Sequence, residues 1–326
     1  MNTSADTTEP AARRNGSLGL HQSLLKHLHS TGAYQSEVSG VSLLTKEAVA
    51  DSAEDAPSRT CIRDKQGRMV AVMAVSSRVD PEQVARSLAN AKGAREMLGS
   101  DLGNVILEPI AEGTYEGLTF ALWPWRRSLS SNRIMAFLQK RRARKRVLAW
   151  LREATAVTCR RVSEDELEAG YRRPLRALAG DEAMPEGLRR AADTGLRRLE
   201  DGTWRPYFVL EHGDFWLGNV LYPRGLWSRG THARGFVLID WAGARLQGYP
   251  FYDLLRLALS SGLAPAHLRK EALLHCASLG CEPVDAFAYL AAGLGASGLD
   301  LGHFPLDRYH AIAETAYRTL KAALNL

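Results

Sequence analysis

The stretch "LEHGDFWLGNVLY", residues 210–222, sets a carboxylate, Asp214, and a carboxamide, Asn219, inside an otherwise apolar run. Further along, "VLIDW" closes a second apolar run on Asp240. Polar groups at the ends of strand-like runs, facing a crevice, commonly build a ligand site. Two carboxylates and one carboxamide supply hard oxygen donors of the kind Mg²⁺ takes beside substrate phosphates, and they supply a possible base. Phosphoryl transfer needs both: a metal to neutralise the triphosphate and a carboxylate to accept the acceptor hydroxyl's proton. Taken singly, the residues also fit plainer jobs, Asp214 and Asn219 in a capped turn and Asp240 as a helix N-cap. Their combination in apolar strand ends favours the site. A metallophosphoesterase would need further His ligands at strand ends, and of the nine histidines only His212 has such a setting.

Asp-x-x-x-x-Asn followed by an Asp on a later strand is the spacing of the protein-kinase catalytic loop and metal-binding aspartate. The His-Arg-Asp spelling is absent. Instead, "HGDFWLGNVL" and "VLIDWAGARLQGYPFYDLLRLA" resemble the aminoglycoside phosphotransferase and choline kinase family over residues 205–260. The resemblance implies a two-lobed protein-kinase-like fold acting on small-molecule hydroxyls. It also implies Asp214 as catalytic base, Asn219 as a metal ligand and Asp240 as the principal metal ligand. His212 would brace the catalytic loop, and Asp253 would hold the segment after Asp240.

The elements that must position these groups fall into two parts, predicting an α+β fold. Residues 1–18 read as a disordered tail with no apolar core of a secretory signal. Residues 19–126 read as a small β-rich N-lobe. A short helix over 19–34 precedes strands in "VSGVSLL" (38–44), "TCIRD" (60–64) and "RMVAVMAVSS" (68–77), with a turn at Gln66-Gly67. A helix over 80–101 follows, with Asp80 as N-cap and Pro81 at its first position. Two more strands flank a turn at Glu116-Gly117. Residues 127–326 read as a large C-lobe, helical by periodicity except for the strands "YFVLEHG" and "GFVLIDW". ATP (or GTP) and Mg²⁺ are expected between the lobes. The segment "ALWPW" (121–125), with Leu122, Trp123 and Trp125, is expected as a hinge whose backbone reads the adenine edge.

The N-lobe departs from the kinase pattern. Where "VAxK" would offer a lysine to the phosphates, the strand reads "VAVMAV" (70–75), so Met73 stands at the lysine position and Glu96 of "AREML" lacks its partner. No G-x-G-x-x-G loop precedes the strand. Two readings follow. In one, Arg63, Arg68 or Arg78 replaces the lysine, since a guanidinium binds phosphate bidentately. In the other, nucleotide binding has decayed and the chain is a pseudokinase-like scaffold or regulatory binding protein.

Composition narrows the partners. No apolar run among the 326 residues is long enough to span a bilayer, and four scattered cysteines fit reduced thiols, so a cytoplasmic setting is expected. Much of the +6 net charge sits in "KRRARKR", Lys140–Arg146. It reads first as a solvated helix face and second as a contact for an anionic surface; no aromatic-interleaved basic motif points to nucleic acid. From Leu254 to Leu326 acidic and basic side chains balance, which argues against a polycationic acceptor. Trp216 and Trp241 could stack on a sugar, although core packing is the plainer reading for Trp241.

Overall fold

Short runs rich in apolar and β-branched residues, separated by glycine turns at 67 and 117, form a five-stranded antiparallel sheet in the computed structural model of the chain. The structure describes residues 9–44, 56–128, 133–222, 234–302 and 304–325. These residues form two units. One holds the described residues up to Ala89 together with Ile106–Arg127, and the other holds Asn90–Val105 and the described residues from Ser128 on.

In the first unit, helix α1 (Glu9–Ser30) precedes strands β1 (Gly40–Leu43), β2 (Ser58–Arg63) and β3 (Met69–Val75). Helix α2 (Gln83–Gly103), shared between the units and kinked at Gly99, leads to β4 (Ala111–Tyr115) and β5 (Leu118–Pro124). The sheet order is β1-β2-β3-β5-β4. The β4–β5 turn is the expected Glu116-Gly117, with both residues at positive φ as a two-residue hairpin of this hand requires. The first eight residues of the expected tail, and the 45–55 connection from β1 to β2, lie outside the described residues. Helix α1 starts at Glu9, earlier than expected, where a proline in the first turn is followed by the good helix formers Ala11, Ala12, Arg13 and Arg14.

Both faces of β3 are covered. Ala71, Met73 and Val75 join Leu24, Leu25 and Leu28 of α1 in one apolar cluster with Ile62, Phe120 and Leu122. Ala74 and Ala121 meet Val84 and Leu88 of α2 on the other face. On the α1 face, His21 is fully buried. One of its ring nitrogens lies 2.8 Å from Ser58 Oγ and the other 2.8 Å from Thr60 Oγ1, so one nitrogen donates and the other accepts. Met73 is therefore a core residue with no exposed surface and cannot stand in for a phosphate-binding lysine. Side chains alternate along a strand, and its parity points it at α1. Leu122, paired with Met73 across the ladder, is equally buried. The segment expected as a hinge is strand as far as Pro124, with the Trp125 N–H donated to Val70 O.

The second unit opens with α3 (Arg133–Thr158), β6 (Arg160–Arg161) and α4 (Glu164–Leu167). A π-turn (Glu168–Arg172) joins α4 to α5 (Arg173–Ala179), and α6 (Glu186–Glu200) follows. Strand β7 (Tyr207–Glu211) lies between β6 and the later β10 (Arg245–Gly248). Strands β8 (Val220–Leu221) and β9 (Val237–Leu238) form a separate antiparallel pair. Helices α7 (Tyr252–Ser261), α8 (Pro265–Leu279), α9 (Asp285–Gly298) and α10 (Leu306–Leu324) complete it. The later part of α2 is bound in by backbone and indole bonds: Trp150 Nε1–H donates to Leu102 O at 3.0 Å, and Leu238 N–H to Val105 O at 2.7 Å.

The expected basic run lies on α3. Lys140, Arg141, Arg142, Lys145 and Arg146 are exposed around a buried Ala143, and Arg144 donates to Gly262 O at 3.4 Å. That is the arrangement of a solvated helix face.

Candidate active site

Strand β7 ends on Glu211, and the chain then turns through His212, Gly213 and Asp214 into a 3-10 turn (Leu217–Asn219). The turn is held from two sides. Asp253, in the first turn of α7, accepts the His212 N–H at 2.6 Å and the Gly213 N–H at 3.1 Å. Ser260, two turns on, accepts the Leu217 N–H at 3.1 Å. Gly213 sits at φ 78°, and a Cβ there would collide with the carbonyl of Gly243. Only glycine allows the two backbones to approach so closely.

Within this turn the sequence's two polar anchors meet. Asn219 Nδ2 donates to Asp214 O at 2.9 Å and to Asp214 Oδ2 at 3.1 Å. The other carboxylate oxygen, Oδ1, receives Arg256 Nη2 of α7 at 2.5 Å. Both oxygens of Asp214 are thus oriented, each by one donor, and each keeps a lone pair for a further partner. Trp216 lies across Gly218, whose missing side chain makes room for the ring.

Asp240 arrives at the same place by strand pairing. Val220 faces Leu238 across the β8–β9 ladder, and Ile239 N–H donates to Asn219 O at 3.1 Å. Asp240 is therefore the next residue beyond the bond that reaches Asn219. Its backbone is left-handed, φ 69°, a conformation that a non-glycine residue adopts at some energetic cost and that clusters at functional sites. Asn90 Nδ2 steadies the following turn, 3.3 Å from the carbonyls of Trp241 and Ala242.

His212 is buried between the rings of Phe215 and Trp241, and its Nε2–H donates to Ile239 O at 3.1 Å. Burial lowers its pKa, which favours the neutral ring, so His212 braces the segment leading into Asp240 as a neutral donor. Trp241, 3% exposed, is packed in the core. Asp253 holds the segment before Asp214, and not the one after Asp240 as the resemblance implied, because the α7 N-terminus aims its carboxylate at the amides of residues 212 and 213. Behind it lies a second buried carboxylate, Glu211, which accepts the Tyr249 N–H at 2.8 Å and has Arg245 at 4.0 Å. Burial, then repulsion from Glu211, pushes the Asp253 carboxyl up to about 8 against the pull of its backbone donors, and burial raises Glu211 as well.

The residues expected to meet nucleotide do not gather into a comparable cluster. Arg68, on the β2–β3 turn, pairs with Asp64 at 2.8 Å and is mostly exposed. Arg63 donates to Gly67 O in the same turn, and Arg78 is exposed on the loop after β3. Trp123 packs beside Ala74 and Leu88, and Trp125 is half-buried. Glu96 is exposed on α2 and pairs with no cation among the described residues. Two residues of the cluster had not been singled out: Arg256 and Glu211. A hint for Arg256 existed, since it follows Asp253 by three positions in "YDLLRLAL" and so shares its helix face.

No protein-family model matches this chain, and no curated protein does. Solved structures do. The GDP complex of wild-type aminoglycoside 2'-phosphotransferase-IIIa is similar over 94% of this chain and 99% of its own, at 16% identity and a TM-score of 0.50. A choline/ethanolamine kinase family protein from Mesorhizobium loti (14% identity, 94% and 95% covered) and choline kinase LicA from Streptococcus pneumoniae (14% identity, 94% and 100% covered) match with the same TM-score. At such identities the likeness speaks for the fold alone: the chain has the kinase-like α+β fold of the aminoglycoside phosphotransferases and choline kinases.

Proposed function

We propose that the chain is a phosphotransferase that moves the terminal phosphoryl group of ATP, or GTP, to a hydroxyl of a small molecule, with Mg²⁺. The observation that carries this reading is the joint placement of Asp214, Asn219 and Asp240: a carboxylate oriented at both oxygens, beside a carboxamide bonded to the strand that delivers a second carboxylate. Structural neighbours that are small-molecule kinases, one of them solved with GDP, support it.

The donor set fits Mg²⁺. Asn219 turns its amide nitrogen to Asp214, which leaves Oδ1 to face the other way, and Asp240 adds a carboxylate. Among the described residues no group of three or more His, Cys, Asp or Glu could hold a metal alone. Such a sparse set suits an ion that keeps waters and phosphate oxygens in its shell. Bound there, the ion would neutralise charge on the transferring phosphate. Asp214 would accept the proton as the acceptor oxygen bonds to the terminal phosphorus and the bond to the bridging oxygen breaks. Asn219 and Arg256 hold its carboxylate in one plane, while His212 and Asp253 fix the turn that carries it.

The second reading, a binding protein without turnover, is favoured by the absence of a β3 cation: Met73 is core. One experiment tests the metal site on which the first reading depends. Asp240→Ala is expected to abolish the Mg²⁺-dependent part of thermal stabilisation by ATP, measured against ATP with EDTA, while the unliganded melt stays put. Undiminished Mg²⁺-dependent stabilisation in that variant would sink the metal assignment.

A further inference from the structure

The proposed base is oriented by a residue that also lines a cavity. Arg256 gives one edge of its guanidinium to Asp214 and forms part of the wall of a cavity of about 210 Å³ between α7 and α10. Along α7 the wall includes Tyr252 and Leu259, and along α10 it includes Arg308, Ile312 and Thr315. The lining contains two arginines and no carboxylate. Arg308 has the Phe304 ring 5.5 Å from its guanidinium carbon, and no carboxylate among the described residues pairs with it. Arg256 Nε is buried and lacks any hydrogen-bond partner. An orphaned guanidinium donor in a buried setting costs stability unless something accepts from it.

Resting on the phosphotransferase reading, we propose that this cavity is the acceptor site and that it takes a small anionic hydroxy compound. The carboxylate or phosphate of that compound lies between Arg256 and Arg308, and its carbon skeleton lies along Leu259 and Ile312. Three features set this class. Arg308, with no carboxylate partner among the described residues, matches a planar or tetrahedral oxyanion and disfavours an ammonium, while Arg256 on the same wall gives one edge to Asp214 and keeps an unpartnered Nε. The volume is below the roughly 300–1,000 Å³ of sites for drug-sized ligands, which fits a small acceptor. Arg256 is common to the cavity wall and to the proposed base, so an acceptor held in the cavity lies beside the residue that orients Asp214.

The test is calorimetric titration of the full chain without nucleotide. The probes are glycerol 3-phosphate, glycerate, glycerol, choline and kanamycin. Saturable binding is expected for one or both anions and for none of the others. The phosphate and carboxylate probes show which oxyanion is preferred. Arg308→Met should weaken the bound anion roughly ten- to a hundredfold, the scale of a lost charge-assisted contact, and Arg308→Lys should weaken it less. Mg²⁺–ATP stabilisation should be unchanged in both variants. Binding of choline or kanamycin in place of the anions, no anion binding at millimolar concentration, or anion binding indifferent to Arg308→Met would each overturn the assignment. The two readings fail separately. Phosphate transfer to a cationic or neutral acceptor would keep the phosphotransferase and remove the anion site. Arg308-dependent anion binding without phosphate transfer from any nucleotide would do the reverse.

Discussion

The two units differ in the polar groups they bury, and among the described residues the buried carboxylates all lie in one of them. The sheet unit buries neutral ones in closed sets: His21 between Ser58 and Thr60, and Ser76 with Thr119, whose hydroxyls also receive the Val84 and Ala85 N–H groups at the start of α2. The helical unit also buries carboxylates: Asp253 on the amides of residues 212 and 213, Glu211 on the Tyr249 N–H, and Asp285 held by Arg198 at 2.8 Å. Neutral pairs satisfied by one another fasten a helix to a sheet. Buried carboxylates are expensive and persist where a backbone must be held in one arrangement. On the proposed reading the chemistry belongs to the helical unit, while the described side chains of the sheet unit form a well-packed core.

The sharpest way to break this comparison is to put a charge where the sheet unit is driest. Met73→Lys is expected to destabilise the protein by roughly 3–5 kcal/mol, the scale of an uncompensated buried charge, in a denaturant melt. A stable Met73→Lys protein with tightened ATP binding would restore Met73 to the nucleotide site. In the helical unit the expected loss is in rate. Asp214→Asn should lower phosphate transfer from ATP by about 10² or more with its melting temperature and nucleotide binding little changed. If ATP binding vanished too, Asp214 would be holding structure or metal.

A subtler difference concerns pH. Asp253 has a folded pKa of about 8 against an ordinary 3.8, so its contribution to stability is full below the lower value and is lost as pH rises to the upper one. His21, lowered by burial from 6.5 to about 4, contributes fully above 6.5 and loses that contribution as pH falls towards 4. Asp253→Asn should therefore flatten the decline of stability towards alkaline pH, and His21→Asn the decline towards acid. His212 and His275, also lowered by burial, act in the same sense as His21 and stay constant across the comparison. Stability differences between variant and parent that do not change with pH would refute the assignment of these groups. The smallest effect belongs to Arg68→Ala. Arg68 is exposed and paired only within its own turn, so neither the melt nor ATP binding should move. Lost ATP binding there would revive the arginine substitute for the missing lysine.

The sequence made one half of the site legible and misled about the other, and the physics of the two strands says why. Asp214, Asn219 and Asp240 stand out because each interrupts an apolar run, and the β8–β9 ladder brings the last two together by pairing alone. Strand β3 carries no such mark. "VAVMAV" is apolar at every position because α1 and α2 cover both of its faces, so no alternation records which side Met73 takes. The glycine turns at 67 and 117 were readable, since positive φ leaves few other residues. For Arg256 and Asp253 the sequence carried no more than a hint: their contacts with the loop lie 42 and 41 positions away, and the start of α7, with Phe251 at φ 74°, aims them there.

The contact of Gly213 with the Gly243 carbonyl has a consequence for how the protein could be altered. A randomised library at 213 should return glycine alone, because any larger residue wedges the loop bearing Asp214 away from the turn that follows Asp240. The proposed transfer site is thereby closed to gradual adjustment. The α7–α10 wall carries no such backbone contact, and its side chains can be exchanged one at a time. New acceptors should be reachable by selection at Leu259, Arg308 and Ile312, with the loops left as they are.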